Sequence, residues 1–204
     1  MISFGLIGYG KIGERHAAHI TAHPGASLHG VYDIKSDRLN LFRNTYRGIK
    51  TYDALKSIIA DPDIDIISIC TPNATHADIA IAAMKAGKHV LVEKPIAANL
   101  EAAQRIAQAA ADANLVLTVG HIERFNPAIQ ELKRRLDAGQ GGKVLQLRGR
   151  RVGPFPHRIR DVGVIHDLGP HDIDIMRYLL GDEIERVYAE SRSHIATGNE
   201  DLFA

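Results

Sequence analysis

The sequence predicts an α/β protein: a doubly wound parallel sheet over residues 1–120, followed by a partial α+β domain over residues 121–204. Three observations carry this. Short apolar runs alternate with helix-like segments as far as Val119, and strands joined in that way form a parallel sheet with right-handed crossovers on both faces. The run Ile64 to Ile69 is β-branched and almost wholly apolar, as expected of a strand buried on both sides. After Gly120 the alternation gives way to two helices and two strand-like stretches, too little for an independent core.

The elements follow in order. Ile2 to Ile7 is a strand ended by Gly8-Tyr9-Gly10, and Lys11 to about His23 is a helix. Leu28 to Tyr32 is a strand, Ser36 caps a helix to about Tyr46, and a short strand lies near Ile49. Asp53 caps a short helix stopped at Asp61-Pro62. Beyond Ile64 to Ile69, Thr75 opens an Ala-rich helix to about Ala86, terminated by Gly87. His89 to Val92 and Leu115 to Val119 are strands flanking a helix that Asn99 caps and that reaches about Asn114. In the second half, Pro127 starts a helix to about Ala138 and Gly139-Gln140-Gly141-Gly142 is a turn. Lys143 to Arg151 reads as a strand, about Asp167 to Leu180 as a helix ended by Gly181, and Glu185 to Ile195 as a strand with one wet face. Asp201-Leu202-Phe203-Ala204 looks like the start of another strand, so the second domain reads as incomplete.

Composition narrows the function classes. A hydrophobic share of 45% supports a sizeable core and argues against disorder. A net charge of +1 gives no reason to expect a nucleic-acid or acidic-membrane partner. Cys70 is the single cysteine, so no intrachain disulfide can form; in its apolar run it reads as core filler. With no signal-like N-terminus and no apolar run of bilayer length, the expectation is a soluble cytoplasmic protein.

Gly8-x-Gly10-x-x-Gly13 follows the first strand and opens the first helix, and Asp33 lies twenty positions beyond Gly13 at the end of the second strand. That context turns a weak glycine pattern into the signature of a Rossmann domain that binds a dinucleotide. Gly8 permits the tight turn, Gly10 lets the backbone approach a pyrophosphate, and Gly13 lets helix and strand pack closely. The backbone N–H groups at Lys11, Ile12 and Gly13 face the phosphates. Asp33 accepts from the adenosine ribose hydroxyls and repels a 2′-phosphate, which favours NAD over NADP. Lys35 and Arg38 lie close enough to keep NADP open. The bland alternative is a glycine turn with a solvated aspartate.

Glu93-Lys94-Pro95 follows the strand His89 to Val92, where loops line the cofactor crevice. A lysine there can donate to a substrate hydroxyl and stabilise a developing alkoxide, or simply be a solvated turn residue. Four segments together now resemble the Gfo/Idh/MocA oxidoreductases: Gly5-Leu6-Ile7-Gly8-Tyr9-Gly10-Lys11-Ile12-Gly13, Thr71-Pro72-Asn73-Ala74-Thr75-His76, Glu93-Lys94-Pro95, and Asp167-Leu168-Gly169-Pro170-His171-Asp172-Ile173-Asp174. The resemblance implies a partial α+β domain of that family's C-terminal type after the Rossmann domain. It implies that Thr71, Pro72, Asn73 and His76 line the cofactor groove, that Glu93 sits by the nicotinamide ribose, and that Lys94 contacts the reacting hydroxyl. Asp167 and His171 would complete the active site, with His171 the general base.

Oxidising an alcohol releases a hydride and a proton, and the proton needs a base that titrates near working pH. Histidine suits, and a carboxylate can orient it. Asp167 and His171 are four apart, but Pro170 requires either a helix that starts near Gly169-Pro170 or one that bends there. His166 competes as base, Asp172 and Asp174 as carboxylates, and zinc is the composition-level alternative, although no HExxH-type spacing appears; no metal is expected.

Two further segments resemble a branch that includes UDP-N-acetylglucosamine 3-dehydrogenases. Gly120 to Pro127 holds Arg124 and Asn126, and Arg151 to Gly163 holds Arg158 among three arginines suited to an anionic group. These, with Lys94 and His171, are the expected substrate contacts. The expected reaction is oxidation of the 3-hydroxyl of a UDP-N-acetyl-hexosamine to a ketone. The rival readings are an NAD-dependent glycosidase of the same family and a non-catalytic dinucleotide-binding module. An incomplete sheet leaves unpaired N–H and C=O groups, so a homo-oligomer is expected.

Overall fold

The computed structural model describes residues 1–153, 163–195 and 199–204. The chain divides into two compact units, Met1–Gly120 and His121–Ala204. The first holds six strands: β1 (Ile2–Ile7), β2 (Ala26–Tyr32), β3 (Lys50–Thr51), β4 (Ile66–Ile69), β5 (His89–Val92) and β6 (Leu117–Val119). They form one parallel sheet in the order β3-β2-β1-β4-β5-β6. The order reverses between β1 and β4, and in such sheets the ligand crevice lies at the carboxyl ends of the strands beside that reversal.

Helices cover both faces. Side chains alternate along a strand, so neighbours in β1 enter different cores. Leu6 packs with Ala17 and Ile20 of α1 (Lys11–Ala22) and Leu39 and Phe42 of α2 (Ser36–Thr45). Ile7 packs with Ile58 of α3 (Leu55–Ile59), Ala80 and Met84 of α4 (His76–Lys85), and Ile106 of α5 (Leu100–Ala113). In β4 the same alternation sends Ile67 and Ile69 to the α3–α5 side and leaves Ser68 and Cys70 on the α1 side.

Several helix ends follow the sequence signals. Asn99 Oδ1 accepts from the Ala102 N–H, and Asn114, Gly87 and Gly181 adopt the left-handed conformation at helix ends. Two expected caps differ. α3 starts after Ala54 without a side-chain cap, so Asp53 does not serve. Ser36 is the first residue of α2 rather than its cap. Thr75, which closes a 3-10 turn, Asn73–Thr75, is the N-cap residue of α4 as expected, though its side chain makes no cap bond.

The second unit contains α6 (Pro127–Asp137), α7 (Val164–Asp167), α8 (Gly169–Leu180) and a short antiparallel pair, β7 (Ser191–Arg192) with β8 (Leu202–Phe203). The expected strand from Lys143 to Arg151 does not form among the described residues, and of Glu185 to Ile195 only β7 does. The reason is common to both: a strand forms only where a neighbour takes its N–H and C=O groups, and among the described residues only β8 provides one. Among the described residues no helix is long and apolar enough to cross a membrane.

At the amino ends of the strands, Asp61 ties three elements. Its Oδ2 accepts from Lys50 Nζ at 2.7 Å and Tyr52 Oη at 2.6 Å, and its Oδ1 from the Asp63 N–H at 3.0 Å. The buried Lys88 ammonium donates to the Asp61 and Ile64 carbonyls, each at 2.7 Å. Lys50 and Tyr52 hold the Asp61 carboxyl well below its ordinary value of 3.8, and burial and the Asp61 bond push the Tyr52 phenol up to about 12. Asp61→Ala should cost about 2 kcal/mol, read as a lower urea midpoint at neutral pH. A carboxyl whose folded pKa is depressed stabilises above its unfolded pKa and loses that contribution as pH falls below it. The midpoints of Asp61→Ala and the unmodified protein should therefore converge in acid; an undiminished gap there would refute the assignment.

Candidate functional site

The glycine loop is built by close backbone contact. Gly8 has φ +93°, its N–H donates to the Tyr32 carbonyl at 2.8 Å, and a Cβ on it would lie 2.7 Å from the Cys70 carbonyl oxygen. A Cβ on Gly13 would collide with the Gly8 carbonyl oxygen, so α1 rests on the turn that precedes it. Gly10 is the N-cap of α1 and brings no side chain to it. The first amides of the helix, at Lys11, Ile12 and Gly13, have no intrahelical acceptor, and with the helix dipole they suit an anion.

Asp33 stands beside this loop at the end of β2 and is 5% exposed. Its Oδ2 accepts from the Tyr9 N–H at 2.7 Å and from Arg38 Nη1 at 3.3 Å; its Oδ1 accepts from the Lys35 N–H at 2.8 Å. A carboxylate offers about four acceptor positions, and the described residues take three, which leaves one for a ribose hydroxyl. The Arg38 guanidinium reaches the glycine loop, where a Cβ on Gly10 would meet Nη1 at 3.4 Å. Ile34, which follows Asp33, is 86% exposed and presents apolar surface next to that carboxylate. These residues fit a dinucleotide: backbone close enough to a pyrophosphate, amides aimed at it, and a carboxylate with an open position.

The loops after β4 and β5 are tied to each other. His76 is 1% exposed; its Nδ1 lies 3.0 Å from the Pro95 carbonyl and its Nε2 2.9 Å from the Thr71 carbonyl. Both ring nitrogens of His76, expected to line the cofactor groove, face backbone carbonyls in the interior, so the ring braces the loops after β4 and β5. Thr71 Oγ1 accepts from Thr75 Oγ1 at 2.8 Å, and Pro72 and Asn73 carry the chain into the 3-10 turn. The Lys94-Pro95 peptide is cis.

Glu93 turns inward. Its Oε1 lies 2.9 Å from His16 Nε2, and its Oε2 accepts from the Lys94 N–H at 3.2 Å. His16 Nδ1 lies 2.9 Å from the Oγ of the fully buried Ser68. Burial raises the Glu93 carboxyl, but the hydrogen bond and electrostatic pull of His16, with the Lys94 N–H, hold it below its ordinary value. Burial, and then the Glu93 charge, push the Cys70 thiol up to about 12, which leaves it an inert neighbour. Sequence reasoning missed His16 and Ser68. Their signals were a histidine one turn beyond Gly13 and the lone hydroxyl in an apolar strand.

In the second unit, Leu168 separates α7 from α8, Pro170 sits in the first turn of α8, and the His171 N–H donates to the Leu168 carbonyl at 3.1 Å. Asp167 thus ends one helix while His171 begins the next, which selects the first of the two geometries allowed by Pro170. Two expected substrate contacts are occupied otherwise. Arg124 donates through Nε and Nη2 to the two oxygens of the buried Asp174, at 2.8 and 2.6 Å. Asn126 Oδ1 accepts from the Ala128 N–H at 3.0 Å and caps α6. Asp172 is held by Arg151 through Nε at 3.2 Å and Nη2 at 3.0 Å, His166 is exposed, and Arg158 lies outside the described residues. Of the described residues, one group, His29, Asp61 and Asp63, brings three potential metal ligands within 4.8 Å; the Lys50 ammonium already occupies its Asp61 oxygen.

A 3-2-1-4-5-6 parallel sheet with this glycine loop and acidic residue defines a dinucleotide-binding Rossmann protein. Residues 2–121 match the family "Oxidoreductase family, NAD-binding Rossmann fold" and residues 129–204 the "GFO/IDH/MocA C-terminal domain". The chain belongs to the Gfo/Idh/MocA oxidoreductase family. It is 34% identical to a myo-inositol 2-dehydrogenase of Thermotoga maritima, over 91% of this chain and 57% of that protein. It is 37% identical to a UDP-N-acetylglucosamine 3-dehydrogenase of Acidithiobacillus ferrooxidans, over 88% and 54%. A crystal structure of scyllo-inositol dehydrogenase from Lactobacillus casei with bound NAD(H) and scyllo-inositol superposes with TM-score 0.90 at 26% identity, covering 100% of this chain and 64% of that one. The chain thus spans little more than half the length of these curated relatives.

The Gly8–Gly13 contact makes a direct prediction. Gly13→Ala should cost about 1–3 kcal/mol, the range for overpacking a close contact, and should weaken NAD binding by lifting α1 off its turn. A variant with unchanged melting temperature and unchanged NAD affinity by calorimetry would contradict the contact.

Proposed function

We propose that the protein containing this chain is an NAD-dependent dehydrogenase that oxidises a ring hydroxyl of a sugar or cyclitol to a ketone. The observation that carries this reading is one set of groups in the first unit: the Gly8–Gly13 loop, Asp33 with one open acceptor position, and Lys94, all just beyond the carboxyl ends of the parallel strands. Bound NAD supplies the hydride acceptor. Lys94 donates a hydrogen bond to the reacting hydroxyl oxygen and stabilises the negative charge that develops there. His171 accepts the hydroxyl proton at a ring nitrogen, and Asp167 orients the ring.

NAD is the preferred cofactor because a 2′-phosphate would meet the Asp33 carboxylate, while Arg38 tempers that repulsion from 3.3 Å. The finer reading of the substrate is a UDP-N-acetyl-hexosamine oxidised at its 3-hydroxyl, supported by the 37% identity to the A. ferrooxidans dehydrogenase. A cyclitol is the second reading, favoured by relatives named for inositols at 34% and 35% identity.

NADH formation measured with UDP-N-acetylglucosamine, myo-inositol and scyllo-inositol separates the two. NADH from the nucleotide sugar alone is expected; turnover of the inositols alone would assign a cyclitol, and turnover of none would sink the dehydrogenase reading for these substrates. Lys94→Ala should lower kcat by about 100- to 1,000-fold, the effect of losing a donor to a developing oxyanion. Asp33→Ala should weaken NAD about tenfold, the equivalent of one charged hydrogen bond, and strengthen NADP. Equal NAD and NADP affinities in the unmodified protein would overturn the role of Asp33.

A further inference from the structure

We propose that His16 is a positioning residue for the Glu93-Lys94 turn, acting through a partly buried hydrogen-bond chain Ser68–His16–Glu93; the proposal rests on the role given to Lys94 above. Three elements meet in this chain. α1 contributes His16, β4 contributes Ser68, and Glu93 follows β5. Both ring nitrogens are engaged at 2.9 Å, one by the Ser68 hydroxyl and one by Glu93 Oε1. An ionised carboxylate only accepts, so Nε2 carries the proton toward Glu93, and the Ser68 hydroxyl, which can donate or accept, completes the chain whether Nδ1 is bare or protonated.

The carboxylate is fixed on every side that bears on its rotamer. His16 holds Oε1, the Lys94 N–H holds Oε2, and a Cβ on Gly120 would lie only 2.9 Å from Oε1. Cys70, the titratable group just after β4, is neutral. The hydrogen bond from the Lys94 N–H sets the orientation of the peptide from which the Lys94 side chain departs. The imidazole therefore acts on Lys94 at two removes: it locks the carboxylate, and the carboxylate locks the backbone of the lysine.

Without the ring, a half-buried carboxylate loses its side-chain partner, and such a group finds another or costs stability. The Lys94 ammonium already acts on that carboxylate electrostatically. Removing His16 leaves the ammonium as the replacement partner, drawn toward Glu93 and away from the reacting hydroxyl. A role in packing alone would not produce that result, because the volume of the ring can be kept while its nitrogens are removed.

The test uses His16→Phe, which keeps a ring, and His16→Gln, which keeps a side-chain donor for Glu93. In nitrogen-labelled protein the Lys94 amide resonance should shift, and its solvent exchange should accelerate, in His16→Phe but not in His16→Gln. In turnover assays His16→Phe should lower kcat by about 10- to 100-fold, as expected for a misplaced catalytic group, with NAD affinity and KM within about threefold, and His16→Gln should recover most of the loss. An unmoved Lys94 amide in His16→Phe would overturn the proposal. So would a loss of NAD affinity that matches the loss of kcat, or a failure of His16→Gln to recover activity while folding normally. Turnover retained by Lys94→Ala would overturn the Lys94 role instead, a failure the amide measurement does not share.

Discussion

The seat of α1 on the turn that precedes it governs most of the first unit. Gly13 rests against the Gly8 carbonyl and Gly8 against the Cys70 carbonyl, each at a distance that excludes a Cβ. That stack joins α1, the end of β1 and the end of β4 at the point where the strand order reverses. It determines where the first amides of the helix point. It also determines what the rest of the helix delivers to the sheet: Ala17 and Ile20 to the core, and His16 to Ser68 and Glu93. A bulkier seat would displace all three together.

Three buried polar side chains of this unit pair with loop backbone rather than with strands. His76 bridges the carbonyls of Thr71 and Pro95, Asp33 receives the amides of Tyr9 and Lys35, and Lys88 bridges the carbonyls of Asp61 and Ile64. Each side chain satisfies backbone groups that no ladder reaches, and leaving such groups unpaired would cost about 1–3 kcal/mol apiece. Loops at the carboxyl ends are thereby tied to one another by side chains. Asp61 and Lys88 do the same at the opposite ends, away from the proposed chemistry.

Local patterns made the parallel sheet and the glycine loop legible in the sequence. Apolar runs with turn residues between them place β1, β2, β4 and β5, and the spacing from Gly13 to Asp33 places the acidic residue at the end of β2. What was not legible depends on contacts across the chain. Glu93 reads as a loop residue until His16, 77 positions earlier, is seen beside it. That His76 sits between carbonyls is hidden in the sequence because those carbonyls belong to two separate loops. Arg124 reads as an anion contact because Asp174, 50 positions on, carries no local sign of being its partner. The stretch from Lys143 to Arg151 has strand composition, but a strand is a property of a pair, and pairing is absent from its composition.

The proposed preference for NAD rests on an exchange of partners rather than on simple repulsion. Asp33 is nearly inaccessible to water, and among the described residues Arg38 is its one side-chain cation, joined through a single Nη1 contact at 3.3 Å. A 2′-phosphate would compete for that guanidinium, since phosphate accepts charge-assisted bonds strongly. Taking it would leave the carboxylate with two backbone amides and an adjacent dianion. Those amides do not neutralise a charge, so the buried carboxylate would bear both the lost pairing and the new repulsion. A ribose hydroxyl asks for neither: it donates into the open position on Asp33 and leaves Arg38 where it is. Discrimination in this arrangement comes from the pair, and Arg38, which by charge alone would favour NADP, instead raises the cost of admitting it for as long as Asp33 remains its partner.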